Sequence, residues 1–169
     1  MGNNIKTKSV VAFIDILGFK EIIENNEKDK HFTPLIKLRK VLNEAVNATK
    51  KIFELVLTSI DSKFDENLTT KLKVKQFSDN LYLSFDYTDY EGDFLLALNY
   101  VIFLSRYYQR EMLINNYYVR GGISEGYNYS DDLMIFSSAL INAYNLESKV
   151  SIYPRIVIDE KIVKRINKS

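Results

Sequence analysis

The stretch Val10–Ile23, VVAFIDILGFKEII, decides how the rest of the chain is read. An unbroken apolar, β-branched run reads as a strand buried on both faces. Yet this one carries a single acid, Asp15, and breaks at Gly18 into a short helical pattern, Gly18–Asn25. A carboxylate at the end of a buried strand is costly to desolvate unless something compensates it. Asp15 therefore requires a partner from another part of the chain.

Downstream, Pro34 opens a segment in which Leu35, Leu38, Leu42, Ala45, Ile52 and Val56 recur at helical spacing, so a long helix is expected to about Ile60. DSKFDENLTT, residues 61–70, reads as a loop. KLKVKQF (71–77) and NLYLSFDY (80–87) alternate as strands do, and Ser78 and Asp79 between them predict a tight hairpin. Glu91–Ile114 places Phe94, Leu98, Val101, Ser105, Tyr108 and Met112 on one stripe of a second long helix. YYVRGGISEGY (117–127) predicts a glycine-crowded strand and Phe136–Ser148 a helix. Tyr153–Ile158 predicts a strand opened by Pro154, and Glu160–Ile166 a terminal helix.

This order predicts one α+β domain over residues 1–169, a ferredoxin-like sandwich whose mainly antiparallel sheet carries helices on one face. Its other face then needs a cover, and the abundant tyrosine and phenylalanine favour a self-complementary dimer surface. The chain is 169 residues long, 46% hydrophobic and 27% charged, enough for a single core. Twenty-three basic residues balance twenty-two acidic ones, so no net field argues for nucleic acid or an anionic membrane. The absence of cysteine excludes disulfides, thiol nucleophiles and thiolate zinc sites. His31, in the polar stretch KDKHFTP, reads as a solvated loop residue. No apolar run approaches the roughly 20 residues of a membrane span, and the N-terminus has no apolar signal core, so a cytoplasmic location is expected.

In a ferredoxin-like sheet the first strand lies beside the hairpin, so Asp15 and Asp79 are expected to meet. Paired carboxylates raise each other's pKa unless a cation lies between them, and hard divalent ions with phosphate substrates are the usual occupants. The segment Ile16–Phe19 runs into a helix N-terminus, where free N–H groups and the helix dipole favour phosphate. Taken singly, Asp15 also fits as a helix N-cap, and Asp79-Asn80 as ordinary turn chemistry.

The pieces AFIDILGF, QFSDNLYLSF, VRGGISEGY, SSALINAYNLES and YPRIVID resemble, in order and spacing, the class III nucleotidyl cyclase domain. They are most similar to the pyrimidine cyclases of bacterial Pycsar anti-phage systems, over Val10–Asp159. The resemblance implies the class III cyclase catalytic-domain fold, and a homodimer packed head to tail with active sites at the interface. It implies that UTP or CTP is converted to cUMP or cCMP and pyrophosphate, with a separate effector answering the cyclic nucleotide. Asp15 and Asp79 would hold two Mg²⁺ or Mn²⁺ ions with the Ile16 carbonyl, and Leu17, Gly18 and Phe19 would cradle phosphate.

Lys75 stands where purine-using cyclases place a base-reading lysine, although Lys71 and Lys73 share its alternation and a surface charge explains it equally. Asn145 stands where those enzymes carry the arginine that steadies the transition state, four residues after their asparagine, and Asn142, three residues before Asn145, is a further candidate for substrate contact. That departure favours a pyrimidine cyclase. Arg120 is a further candidate for substrate, or simply part of a tightly packed strand. Relatives tend to continue past RIVID into a hairpin that can supply a phosphate-binding lysine, so the expectation is either a chain trimmed at its C-terminus or one without that contribution. Lys161, Lys164 and Lys168 are the late candidates. The alternative is a catalytically silent cyclase-like domain acting as a nucleotide or protein sensor; a palm-type polymerase fits VRGGISEGY and AYNLES less well.

Overall fold

A computed structural model describes residues 7–27, 31–60 and 66–168. The strand expected over Ser9–Ile14, SVVAFI, is β1 (Thr7–Ile16), followed by α1 (Phe19–Glu27) and α2 (Thr33–Ile60). A short helix α3 (Glu66–Lys71) leads into the hairpin β2 (Leu72–Phe77) and β3 (Asn80–Tyr87), and then α4 (Glu91–Ile114). The chain ends with β4 (Val119–Ser130), β5 (Ile135–Ser137), α5 (Ser138–Lys149), β6 (Ile156–Ile158) and α6 (Glu160–Ile166). The protein is α+β, with a curled sheet ordered β2-β3-β1-β4-β5 and antiparallel throughout, except that β6 joins β4 in parallel.

β1 is central, paired along both edges, and its apolar run Val10–Ile14 suits a strand with a neighbour on either side. Ile14 lies opposite Leu81 of β3 on one side and opposite Gly121 of β4 on the other. Its alternation divides the protein. Val10, Ala12, Ile14 and Ile16 enter the main core with Leu38, Leu42 and Phe53 of α2 and Phe94, Val101 and Tyr108 of α4. Val11 instead joins a second cluster with Tyr82 and Ala139, and the Phe13 ring meets Tyr144 edge-on at 5.6 Å. α5 therefore covers the face opposite α2 and α4, correcting the expectation of helices on one face only.

The physical reason lies in β4. A Cβ on Gly122 would lie 2.3 Å from the Ala143 carbonyl oxygen, so only glycine lets α5 press this closely on the sheet. Gly121 is likewise crowded, a Cβ there falling 2.7 Å from the Phe13 carbonyl oxygen.

Other boundaries differ for local reasons. Residues 66–70 are helical rather than loop, while the rest of that expected loop, 61–65, lies outside the described residues. The front of the expected Phe136 helix belongs to β5, and α5 starts only where the Ser137 hydroxyl accepts the Leu140 N–H at 3.0 Å. Tyr153 and Pro154 precede β6, since proline has no N–H for a ladder, and Arg155 N–H closes a tight turn onto Tyr153 O at 2.7 Å. No helix among the described residues is long and apolar enough to cross a membrane.

Candidate functional site

The β1–β3 pairing ends at Ile14 and Leu81, which leaves Asp15 at the strand end beside the two-residue turn Ser78-Asp79. Ser78 holds φ +54°, a left-handed conformation that costs an L residue roughly 1 kcal/mol, and this turn carries Asp79 back over β1. The two carboxylates come within hydrogen-bonding reach of each other. Burial, then the hydrogen bond and like charge of Asp79 and the charge of Glu147, push the Asp15 carboxyl up to about 7, against a smaller opposing pull from Arg120.

Asp15 and Asp79 open onto a cleft of about 350 Å³ whose other walls are residues 16–21 and Arg120. Gly18, at φ +78°, turns the chain from β1 into α1, and its carbonyl accepts the Ile22 N–H at 3.1 Å. The Leu17 N–H donates to Tyr118 O at 2.9 Å, so this amide is already spent within the sheet. The expected phosphate cradle is thereby narrowed to Gly18, Phe19 and the residues that open α1. The Ile16 side chain is buried in the core, so only its backbone is available to a ligand.

Arg120 faces Asp15 across the β1–β4 register, its Nη2 3.5 Å from Asp15 Oδ2. Its Nε lies 2.5 Å from Oε1 of Glu147 on α5, an ion pair whose N–H is not aligned as a hydrogen bond. Glu147 is 3% exposed, and burial pushes its carboxyl up while Arg120 pulls it down. No sequence motif singles out this acid, although Ala139, Ala143 and Glu147 share one helical stripe at four-residue spacing. Tyr108 lies on the buried stripe of α4, where its helical spacing alone predicts a core residue. Its hydroxyl is buried with no hydrogen-bond partner among the described residues, and burial plus the charges of Asp79 and Asp15 push it up.

Three expected residues do not join the cleft. Lys75 lies opposite Tyr82 and lines a separate hollow with Lys50 and Asp132. Asn142 and Asn145 are half-buried on α5, off the stripe that carries Glu147.

The donor set decides which ion fits. Among the described residues no group of three or more His, Asp or Glu side chains is placed to hold a metal. Two carboxylates and a backbone carbonyl suit Mg²⁺ or Mn²⁺, which take few protein ligands and complete their shell with water and substrate phosphate. The residues fit such an ion and no softer one.

The raised Asp15 carboxyl gives a stability signature in the metal-free protein. Its ordinary value is 3.8 and its folded value about 7, so the folded state keeps a proton that the unfolded state releases between them. The stability this contributes is complete below pH 4 and is lost as pH rises through about 7. In EDTA, Asp15→Asn is therefore expected to gain stability over the parent steadily between about pH 4 and 7. Urea melts at pH 4 and pH 8 that show the same difference would refute the coupling.

Neither a protein-family model nor a curated protein sequence matches the chain.

Proposed function

We propose that this protein is a pyrimidine nucleotide cyclase that converts UTP or CTP to the 3′,5′-cyclic monophosphate and pyrophosphate, as a second messenger in anti-phage defence. The observation that carries this reading is the meeting of Asp15 and Asp79 over a helix-leading segment, at the two positions where the cyclase resemblance requires metal ligands.

Asp15, Asp79 and the Ile16 carbonyl would hold Mg²⁺ or Mn²⁺. When bound, such ions neutralise phosphate charge and make the ribose 3′-hydroxyl a better nucleophile. The amides of Gly18 and Phe19, with the dipole of α1, orient the triphosphate. The O3′–Pα bond forms as the bond from Pα to the bridging oxygen breaks. The electron pair leaves on pyrophosphate and the 3′ proton passes to water. Arg120 supplies a fixed positive charge in the same cleft.

A homodimer belongs to this reading, with sites completed at its interface. Supporting it are exposed apolar side chains on α5 and the β4–β5 turn, Ile141 at 62%, Tyr144 at 52% and Leu133 at 89%. The responding effector is a separate protein.

One observation favours a second reading, a silent domain that binds nucleotide without turning it over: the Leu17 amide is engaged, which weakens the phosphate cradle. A turnover assay with Mn²⁺ and each of the four ribonucleoside triphosphates, products identified by mass, separates the two. Cyclic UMP or CMP is the expected product. No product from any of the four, with nucleotide binding retained, supports the sensor instead.

A further inference from the structure

The Arg120–Glu147 ion pair joins β4 to α5 at the edge of the cleft. Glu147 is 3% exposed on a stripe otherwise made of Ala139 and Ala143. Burying two charges costs more than their attraction commonly returns, and replacing such a pair with apolar side chains is often neutral or stabilising. What the pair does provide is direction. Oε1 pairs with the guanidinium on its Nε side, 2.5 Å away, while Nη2 stands on the side of Asp15 and Arg120 lines the cleft. Nη2 stands 3.5 Å from Asp15 Oδ2, near enough for attraction but too far for a good hydrogen bond, so its N–H groups are not consumed there. A planar fork held at one edge is suited to two phosphate oxygens at once. Meanwhile α5 presents no arginine: Asn145 is off the cleft, and the arginine that lines it comes from β4.

We propose that Glu147 is a positioning residue. It holds Arg120 so that the outer guanidinium nitrogens meet the α-phosphate and departing pyrophosphate oxygens as negative charge grows on them. This rests on the cyclase reading above. The buried acid on α5 thus sets the aim of the arginine that β4 brings to the cleft.

The test combines kinetics with two readouts that do not depend on turnover. Glu147→Gln keeps size and removes charge; kcat is expected to fall about 10- to 100-fold. KM, and the affinity for 3′-deoxy-UTP or 3′-deoxy-CTP measured by calorimetry with Mn²⁺, should change less than about threefold, since the contact strengthens in the transition state. In an Arg120→Ala background, adding Glu147→Gln should cost nothing further, and added guanidinium should restore part of the lost rate. An unchanged kcat, or an equal loss in both backgrounds, overturns the proposal. Should Glu147→Gln fail to fold, Glu147→Asp keeps the charge and shortens its reach; a full kcat there overturns it equally. The ¹⁵N shift of Arg120 Nε reads the tether in the ligand-free protein, and no change in Glu147→Gln refutes it whether or not the parent is an enzyme. If the parent turns over none of the four nucleotides, the cyclase reading fails, and the Nε shift alone reports whether Glu147 holds Arg120.

Discussion

On the proposed cyclase reading, Asp79→Asn is expected to lower turnover on the order of 10³-fold while the protein remains folded. A carboxylate that anchors a divalent ion contributes several kcal/mol of transition-state charge stabilisation, and each 1.36 kcal/mol is a factor of ten in rate. The amide keeps the volume of the acid and can still meet Asn80, whose Nδ2 lies 3.2 Å from Asp79 Oδ1, so the turn at Ser78 has no reason to change. Metal-free stability should hold or rise, because the substitution removes the like charge that helps push Asp15 up. Losing the charge should also lower Mn²⁺ affinity, seen as a rightward shift of the metal dependence of the residual rate. Turnover within a factor of three of the parent, at saturating UTP or CTP and Mn²⁺, would refute a metal role for this acid.

Much of this site was legible because each half rests on a local rule. Asp15 stands out as the one acid in an apolar strand, and Ser78-Asp79 as the only polar interruption between two alternating runs. Their meeting follows once β1 is recognised as an inner strand, as its continuous apolar run suggests. Glu91–Ile114 and Glu160–Ile166 were also readable to the residue, since their periodic stripes end abruptly.

What escaped the sequence depends on contacts between layers. Nothing local to Leu17 says that its amide will be taken by Tyr118 O, because that bond belongs to the β1–β4 pairing. Lys75 is in the right register but on the far strand, where the β4–β5 turn brings Asp131 under its electrostatic influence. Glu147 looks like one more charge on a helix until α5 is set against the sheet. That α5 lies opposite α2 and α4 follows from a glycine in β4, a signal that names close approach without naming the partner.

Gly122→Ala tests that approach, and is expected to cost about 3 kcal/mol, the upper end for forcing one extra carbon into a packed interior. The new Cβ would lie 2.3 Å from the Ala143 carbonyl oxygen and 2.6 Å from Leu146 Cβ. The first of these is backbone and cannot rotate aside, so α5 must lift from β4. For a protein of this size the melting temperature should fall roughly 10 °C. Lifting α5 also draws Glu147 from Arg120, so the variant should lose turnover even at temperatures where it is fully folded. Gly92→Ala is the matched control. Its Cβ would also clash, at 2.5 Å, but with the ring of Tyr90, which is 72% exposed and free to swing into solvent. Alanine is moreover favoured over glycine in the first turn of α4 by up to about 1 kcal/mol. That variant should melt at or above the parent temperature with unchanged turnover. Equal melting of the two alanine variants would mean that the sheet and α5 do not meet where Gly122 brings them together.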